Sequence, residues 1–312
     1  MNKYIRIMRP DHWIKQLFIV PGSVAALLLT HKSLADLSGM WQSFLLGFVS
    51  TCLIASANYS INEWLDAEFD RFHPTKKNRT AVTEGLKGSI VWMLWALLSV
   101  CGFCTGFFIG KMFLLYIVFL WGMGLLYNVK PIRTKDIPIL DVLSESVNNA
   151  IRLLLGWSIV SGNTFPPVSI VLGYWMCGAF LMATKRFAEF RMIGDADLAK
   201  HYRKSFAYYT EKSLLISAFF YALCSVFFTG IFLLKYRIEL ILFIPAFMGL
   251  FCYYFYLSFK EDSAVQKPEK LYHEKILMVY VCALIVLFIV LMIVPIPGLH
   301  WFITDELITI SL

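Results

Sequence analysis

Polar side chains recur at four-residue intervals in the stretch "SANYSINEWLDAEFDRF", which directly follows a long apolar run; they are Asn58, Asn62, Asp66 and Asp70. Residues four apart lie one turn apart on the same face of an α-helix, so these side chains would share one face. Two carboxylates and an amide on successive turns suit Mg²⁺, which proteins commonly hold with one or two carboxylates while substrate phosphates supply further oxygens. The spacing therefore predicts a metal site at Asp66 and Asp70, although a helix that emerges into water with ordinary surface acids would carry a similar pattern.

Basic side chains follow the last carboxylate at once, in "RFHPTKKNR". Cations at this place would bind the phosphates of an anionic substrate from one side, while the metal bridges its pyrophosphate from the other. A loop that obeys the positive-inside rule of membrane proteins would look similar. We favour the phosphate-binding interpretation and leave the topological one open; the candidate residues are His73, Lys76, Lys77 and Arg79.

The composition is that of a membrane protein. The chain has 312 residues, of which 59% are hydrophobic and 16% charged, with a mean hydropathy of +0.67, whereas soluble domains have about 25% charged residues. Apolar runs long enough to span a bilayer recur along the chain. They predict a single all-α, polytopic membrane domain, residues 1–312, with nine transmembrane helices. The predicted spans are residues 15–30, 40–62, 88–109, 112–128, 138–161, 168–190, 212–234, 237–259 and 275–296.

Lys and Arg residues are distributed unequally between the two sides of the predicted spans. Of the 28 such residues, 23 lie on the side that holds the N-terminus. The positive-inside rule then places the N-terminus and the charged loops in the cytoplasm and the C-terminus outside. We expect a bacterial-type inner membrane, with the active site facing the cytoplasm. The net charge of +7 follows from this topology, so we expect no nucleic-acid partner. The predicted cytoplasmic loops are residues 63–87, 129–137, 191–211 and 260–274.

The fifth predicted span carries a polar stripe, in "DVLSESVNNAIRLLLGW". Its members recur at helical spacing and would share an inward face, because ionisable groups inside a span avoid lipid. Arg152 is the deepest charge, and an internal ion pair with Glu145 or Asp141 is one explanation for it. The stripe consists of Asp141, Glu145, Asn148, Asn149 and Arg152.

Two further predicted spans end in ionisable groups on the same side. The fourth ends in "YNVKPIR", with Tyr127, Lys130 and Arg133, and the sixth ends in "TKRFAEFR", with Lys185, Arg186 and Glu189. Together with the polar stripe, these groups predict a polar chamber that opens to the cytoplasm and has apolar walls. Such a chamber suits a reaction between a water-soluble diphosphate and a lipid.

The motif "NEWLDAEFD" and the predicted topology resemble the UbiA superfamily of intramembrane prenyltransferases, whose first motif is N-D-x-x-D-x-x-x-D; Glu63 stands at the family's first Asp. Within the superfamily, "MRPDHWIKQ", "DRFHPTKKNR", "ATKRFAEFR" and "RKSFAYYT" are more similar to the decaprenyl-phosphate phosphoribosyltransferases than to the quinone-type enzymes. Quinone-type relatives carry a second aspartate-rich motif on the sixth helix, where this chain has the basic pair Lys185 and Arg186. Asp195 and Asp197, which follow, could supply a displaced acidic element.

The resemblance implies Mg²⁺-dependent transfer of 5-phosphoribose from phosphoribosyl pyrophosphate to a polyprenyl (decaprenyl-like) phosphate, with release of pyrophosphate, for cell-envelope biosynthesis. It also implies roles for individual residues, with Asp66, Asp70, Lys185 and Glu189 as the catalytic ones. Mg²⁺ would be bound by Asp66 and Asp70 with support from Asn62 and Glu63, and the donor phosphates would be contacted by His73, Lys76, Lys77 and Arg79. The 5-phosphate or the acceptor phosphate would be held by Tyr127, Lys130, Lys185 and Arg186. Glu189 would hydrogen-bond to ribose hydroxyls, Lys15 would reach the lipid headgroup, and Glu145 and Arg152 would contact substrate.

Two other functions stay open. An enzyme of the same superfamily could transfer a prenyl group from its diphosphate to an aromatic or other acceptor with the same carboxylates. A transporter or channel could line its path with internal acids and Arg152, although transporters show such signals from both sides of the membrane and the ionisable groups here concentrate on one. The sequence also leaves open the chain length of the lipid and association into a homo-oligomer.

Overall fold

The computed structural model describes residues 2–30, 36–260, 263–266, 271 and 273–299, and within them the chain is helical with no β-strand. This confirms the all-α prediction. The α-helices of the described chain are α1 (Lys3–Ile7), α2 (Val20–Leu29), α3 (Asp36–Asp70), α4 (Thr80–Thr83), α5 (Gly88–Phe107), α6 (Lys111–Asn128), α7 (Leu140–Val160), α8 (Val168–Ile193), α9 (Ala196–Tyr202), α10 (Glu211–Tyr236), α11 (Phe243–Ser258) and α12 (Lys275–Ile293). Short 3-10 helices cover Pro10–Ile19, Lys76–Asn78, Thr134–Asp136, Lys204–Tyr208, Ile238–Leu242 and Ala264–Gln266.

Eight helical segments in the described part of the chain are long and apolar enough to cross a membrane. The remaining predicted span, 138–161, is also a helix, since α7 has 21 residues, but it is too polar to qualify by composition. The predicted number of nine is therefore not confirmed, and the polar stripe is the reason. Most of α7 is buried, so its polar face meets protein and cavity rather than lipid. The eight segments are Lys3–Leu29, Gly39–Asp70, Gly88–Phe107, Lys111–Asn128, Val168–Ile193, Glu211–Tyr236, Ile238–Ser258 and Lys275–Ile293.

Helix α3 is longer than the sequence predicted. It runs from Asp36 to Asp70, over 35 residues, whereas the predicted span covered 40–62 and a loop was expected from residue 63. At about 1.5 Å per residue it is roughly 52 Å long, which exceeds the roughly 30 Å hydrocarbon core of a bilayer. The acidic motif therefore occupies the last turns of one continuous helix, which keeps Asp66 in helical register with Asp70.

The N-terminal segment is held against α7 by two glycines. A Cβ atom on Gly22 would lie 2.0 Å from the carbonyl oxygen of Leu153, and a Cβ atom on Gly156 would lie 1.8 Å from that of Ile19. Only a residue without a side chain fits at such distances. Ser23 Oγ adds a hydrogen bond of 2.8 Å to the carbonyl oxygen of Gly156. The first predicted span, which divides into a 3-10 helix and α2, is thereby fixed along α7.

Two apolar clusters pack against α7. One joins it to α8, α10 and α11 and includes Val142, Phe180 and Tyr254. The other joins it to α3 and α6 and includes Ile54 and Leu155. Because these clusters use the apolar faces of α7, the polar stripe of the helix is left to line the space between α3, α6 and α8.

Candidate active site

A cavity of about 280 Å³ lies among α3, α6, α7 and α8. Residues of the N-terminal segment, of the loops at one end of the bundle and of α11 also line it. Eleven of the predicted site residues line this cavity: Lys15, Asn62, Asp66, Asp70, Lys76, Arg79, Tyr127, Glu145, Arg152, Lys185 and Arg186. Five predicted site residues are not among those that line it: Glu63, His73, Lys77, Lys130 and Glu189. The structure thus brings together side chains that are as far apart in sequence as the first and sixth predicted spans.

The two aspartates of the motif are each paired with basic side chains from loops. Asp66 Oδ1 accepts hydrogen bonds from Arg133 Nη2, at 2.9 Å, and from Lys135 Nζ. Asp70 Oδ2 accepts one from Arg79 Nη1, at 2.6 Å. Burial lowers the pKa of Lys135 to about 8, against the attraction of Asp66. We call this part of the bundle the charged end; its loops are residues 71–87, 129–139 and 194–210.

The oxygen donors of the motif fit a hard cation. Within the described chain, no hydrogen bond or ion pair involves Asp66 Oδ2 or Asp70 Oδ1. Asn62 donates its Nδ2 to Asn128 Oδ1, which leaves its own oxygen for a ligand. Among the described residues, no group of three or more His, Cys, Asp or Glu side chains lies close enough to hold a metal alone. The residues therefore suit an ion such as Mg²⁺ whose coordination substrate oxygens complete.

Glu63 is engaged elsewhere, so we reassign it from metal ligand to positioning residue. Its Oε2 accepts hydrogen bonds from Arg9 Nε and Nη2, and its Oε1 accepts one from the backbone N–H of Ala81 at 3.3 Å. The residue is 3% exposed and does not line the cavity. Both carboxylate oxygens thus have protein partners, unlike those of the two aspartates.

His73 and Lys77 are likewise placed away from the cavity. The ring of His73 is buried, and its Nδ1 accepts hydrogen bonds from the backbone N–H groups of Thr75 and Lys76, at 3.2 and 3.1 Å. Burial, aided by the charge of Lys76, lowers the pKa of His73 to about 3. The imidazole is therefore neutral and shapes the loop, which differs from the phosphate contact that the sequence predicted. Lys77 is exposed on the same loop.

Lys76 connects this loop to α8 and α9. Its Nζ donates to Glu189 Oε1 at 2.6 Å and to the hydroxyl group of Tyr202. Burial lowers the pKa of Lys76, and the charge of Glu189 opposes the shift. Glu189 is fully buried and does not line the cavity. It therefore holds basic side chains in place, whereas the sequence predicted a contact with ribose.

Arg186 is the centre of a buried ionic cluster. Its guanidinium donates to Glu189 Oε2 at 3.2 Å, to Asp141 Oδ2 at 3.4 Å and to Glu145 Oε2. Its Nη2 also donates to the hydroxyl of Tyr127 at 3.1 Å. Arg186 is 1% exposed, so three carboxylates around one guanidinium fix the ends of α7 and α8 relative to each other. The acids of the polar stripe are thus paired with Arg186, and the alternative ion pair of Glu145 or Asp141 with Arg152 does not form.

Lys185 differs from these basic residues. It lines the cavity, and within the described chain its ammonium group has no hydrogen bond or ion pair, although Glu145 and Glu189 lie near enough to attract it. It is therefore a cation that can turn to a ligand without breaking an existing pair. Lys130, in contrast, is exposed and outside the cavity.

Sequence reasoning missed several basic residues at the charged end. Arg203 and Tyr202 line the cavity, and Arg203 donates to the hydroxyl of Tyr127 at 3.2 Å. Lys135, which the sequence did not single out, is buried against Asp66 together with Arg133, which was predicted at the end of the fourth span without a role of its own. The available signals were the short basic segments "RTKD" and "YRKS", and many solvated loops contain such segments.

A family model of the UbiA prenyltransferase family matches residues 19–281. This range contains the acidic motif, the polar stripe and the basic pair of α8. The chain belongs to the UbiA prenyltransferase family. A solved UbiA homolog from Archaeoglobus fulgidus, described as bound to GPP and Mg²⁺, has the same fold, with a TM-score of 0.68 at 19% identity over 91% of this chain and 99% of that one.

Two bacterial proteins are similar in sequence to this UbiA-family chain. The decaprenyl-phosphate phosphoribosyltransferase of Mycolicibacterium smegmatis is 27% identical over 210 residues, which are 67% of this chain and 63% of that protein. The nodulation protein NoeC of Azorhizobium caulinodans is 33% identical over 106 residues, which are 33% of this chain and 31% of that protein. The matched part thus spans less than two thirds of either relative.

Proposed function

We propose that this UbiA-family protein transfers 5-phosphoribose from phosphoribosyl pyrophosphate to a polyprenyl phosphate, in a Mg²⁺-dependent reaction that releases pyrophosphate. The observation that carries the proposal is the contribution of α8 to the cavity. This helix presents Lys185 and Arg186 there and no carboxylate. An acidic motif opposite Lys185, whose ammonium group is unpaired within the described chain, suits a donor that carries a further phosphate besides its pyrophosphate.

The aspartates that follow α8 do not supply a second acidic motif at the cavity. Asp195 caps α9, where its Oδ1 accepts hydrogen bonds from the backbone N–H groups of Asp197 and Leu198 at 2.7 and 3.1 Å. Asp197 is exposed and pairs with Lys200. Neither aspartate lines the cavity. The name of the M. smegmatis relative agrees with the proposal.

The proposed reaction is a displacement at C1 of the ribose. An oxygen of the lipid phosphate attacks C1, the bond from C1 to the pyrophosphate oxygen breaks, and pyrophosphate leaves with the bonding electrons. The lipid phosphate is already an anion, so it needs no general base. Mg²⁺ would neutralise charge on the departing pyrophosphate. Asn62, Asp66 and Asp70 would hold the ion, and Lys185 would orient the donor phosphates.

Prenyl transfer is the second candidate. The family name and the solved homolog bound to GPP and Mg²⁺ favour it. In that reaction the same aspartates would hold a metal on a prenyl diphosphate, and an aromatic or other acceptor would take the prenyl group. The basic pair of α8 would then face a diphosphate alone.

A direct assay separates the two candidates. Purified protein is incubated with Mg²⁺ and farnesyl phosphate, and with either labelled phosphoribosyl pyrophosphate or labelled geranyl diphosphate with 4-hydroxybenzoate as acceptor. We expect label in the lipid fraction, and pyrophosphate, from phosphoribosyl pyrophosphate. Transfer from geranyl diphosphate alone would support the second candidate and reject the first. If neither donor yields pyrophosphate, both enzymatic candidates are rejected. A transporter would give this result.

We also propose that the charged end faces the cytoplasm of a bacterial-type inner membrane. The excess of Lys and Arg on this side supports the orientation. A membrane-impermeant amine reagent added to intact spheroplasts should leave the exposed Lys200 of α9 unmodified, and should modify it after lysis. Modification of Lys200 before lysis would reverse the orientation.

A further inference from the structure

The deepest member of the polar stripe is a cation, Arg152, and it has no carboxylate partner among the described residues. Arg152 is twelve residues from the start of α7 at Leu140, which is about 18 Å along the helix axis. It lines the cavity. Ionisable groups at such depth in a membrane protein usually face a charged partner or a substrate path.

The partners of Arg152 are neutral. Its Nε donates to Gln16 Oε1 at 2.8 Å, and its Nη1 donates to Asn149 Oδ1 at 3.2 Å. Within the described chain, no Asp or Glu forms an ion pair with it. The acids of its own helix are unavailable, because Asp141 and Glu145 pair with Arg186.

Neighbouring amides have hydrogen-bonding groups that no protein atom uses. Gln16 is fully buried, and its Nε2 has no partner in the described chain. The buried oxygens of Asn58 and Asn148, which both line the cavity, also have none. Buried polar groups are rarely left unpaired, so these atoms indicate a polar ligand beside Arg152. Arg152 and Gln16 Nε2 offer N–H donors, which suit an anionic oxygen. The oxygens of Asn58 and Asn148, in contrast, are acceptors that need a donor such as a bridging water.

The walls of the same cavity include apolar side chains. Phe18, Leu120, Met123, Leu181 and Met182 line it together with the polar groups. A ligand with an anionic head and an apolar tail would bury both parts here. Arg152 is also seven residues further along α7 than Glu145, or about 10 Å further from the charged end.

We propose that Arg152 binds the phosphate of the lipid acceptor, and that Gln16 is a positioning residue that orients the guanidinium. The donor then occupies the charged end, with Lys185 and the two aspartates. This inference rests on the proposed function, and it separates the sites of two phosphate monoesters, that of the lipid and the 5-phosphate of the donor. Gly22 and Gly156 support it, because their close contacts fix the N-terminal segment that carries Gln16.

Steady-state kinetics with farnesyl phosphate and phosphoribosyl pyrophosphate test the assignment. Arg152→Gln removes the cation, and Arg152→Lys retains the charge. Gln16→Glu places a carboxylate at the position of the present amide oxygen, where it would pair with Arg152 and repel an anion. Lys200→Gln, on the exposed face of α9, is the matched control for loss of a positive charge.

We expect Arg152→Gln and Gln16→Glu to raise KM for farnesyl phosphate about tenfold or more, with KM for phosphoribosyl pyrophosphate within about twofold of wild type. Arg152→Lys should recover most of the loss, and Lys200→Gln should change neither constant. Gln16→Glu keeps the size of the side chain and provides the test if Arg152→Gln fails to fold.

Three results would overturn the assignment: a rise in KM for phosphoribosyl pyrophosphate alone, an equal rise for both substrates, or no change in either. The wild-type enzyme distinguishes these results from failure of the proposed function. If wild type transfers no phosphoribose to farnesyl phosphate, the proposed function itself is wrong, whatever the variants do.

Discussion

Arg9 and Glu63 are joined by two hydrogen bonds, 2.9 Å from Nε and 2.7 Å from Nη2, which both end on Glu63 Oε2. The backbone of Arg9 is left-handed, with a φ of 51°, which non-glycine residues seldom adopt. Through its second oxygen Glu63 also holds the backbone of Ala81. The pair therefore ties the N-terminal segment and the basic loop to the helix that carries the acidic motif.

Loss of this pair should lower the stability of the protein and leave its affinity for Mg²⁺ nearly unchanged. Glu63→Gln leaves Arg9 without its carboxylate, and we expect the free energy of unfolding to fall by about 1.5–3 kcal/mol. The Mg²⁺ concentration for half-maximal activity should stay within about twofold, because a positioning residue does not contact the ion. Thermal unfolding in detergent and Mg²⁺ titration of activity measure the two effects.

The double variant Arg9→Gln/Glu63→Gln controls this prediction. If the two residues act as a pair, the double variant should be destabilised by less than the sum of the single variants. A large increase in the Mg²⁺ requirement of Glu63→Gln, with unfolding unchanged, would instead restore Glu63 as a ligand.

Substitution of the aspartates of the motif should, in contrast, reduce Mg²⁺-dependent activity. Asp70→Asn keeps the shape of the side chain but removes the charge that we propose holds a divalent ion, so kcat should fall by about two orders of magnitude or more. Pyrophosphate release at several Mg²⁺ concentrations measures the effect. EDTA should abolish activity of the wild type, and added Mg²⁺ should restore it.

Asp197→Asn is the matched control for the aspartate variants. Asp197 is exposed and lies outside the cavity, so its loss of charge should leave kcat within about twofold of wild type. Full activity of Asp70→Asn at low Mg²⁺ would contradict the metal assignment.

Helical spacing alone predicted which side chains of α3 and α7 share a face. Asn62, Asp66 and Asp70 line one cavity because a period of four residues keeps them on one side of a continuous helix. The same logic predicted the inward stripe that includes Glu145 and Arg152. These successes concern neighbours within one helix, where the geometry is fixed by the backbone.

Pairing between helices was not predictable in the same way. Arg152 is held by Gln16, which is 136 residues earlier, and Lys135 reaches Asp66 across 69 residues. Many basic side chains could have filled either place, and only packing decides between them. Burial was equally hidden, since nothing in "RFHPTKKNR" distinguishes the buried His73 from the exposed Lys77.

The neutral imidazole of His73 makes a prediction about pH. Its folded-state pKa of about 3 lies below the ordinary 6.5, so its contribution to stability is complete above about pH 6.5 and is lost as the pH falls towards 3. Each pH unit in that window costs up to about 1.4 kcal/mol. The apparent Tm of the wild type should therefore fall between pH 7 and pH 5.

His73→Asn tests whether this residue causes the fall. The amide oxygen of Asn can accept the same backbone hydrogen bonds and does not titrate, so the variant should lose less Tm between pH 7 and pH 5. Its activity profile between pH 6.5 and 8.5 should match that of wild type. A difference between the pH–activity profiles of the variant and of wild type would indicate that His73 contacts substrate.

Lys185 should contribute binding energy for the donor. It is a cation that lines the cavity and has no hydrogen bond or ion pair within the described chain, so a phosphate can engage it without breaking an internal contact. We expect Lys185→Gln to raise KM for phosphoribosyl pyrophosphate about tenfold, since a charge-assisted hydrogen bond is lost. Lys185→Arg should retain most of the affinity, because it preserves the charge.

The matched control is Lys212→Gln, since Lys212 is exposed at the start of α10 and outside the cavity. It should leave both Michaelis constants unchanged. Initial rates at varied donor concentration, with the lipid acceptor saturating, give the required constants. If Lys185→Gln raised KM for the lipid phosphate and left that for the donor unchanged, Lys185 would belong to the acceptor site, and the division of the cavity between Lys185 and Arg152 would be wrong.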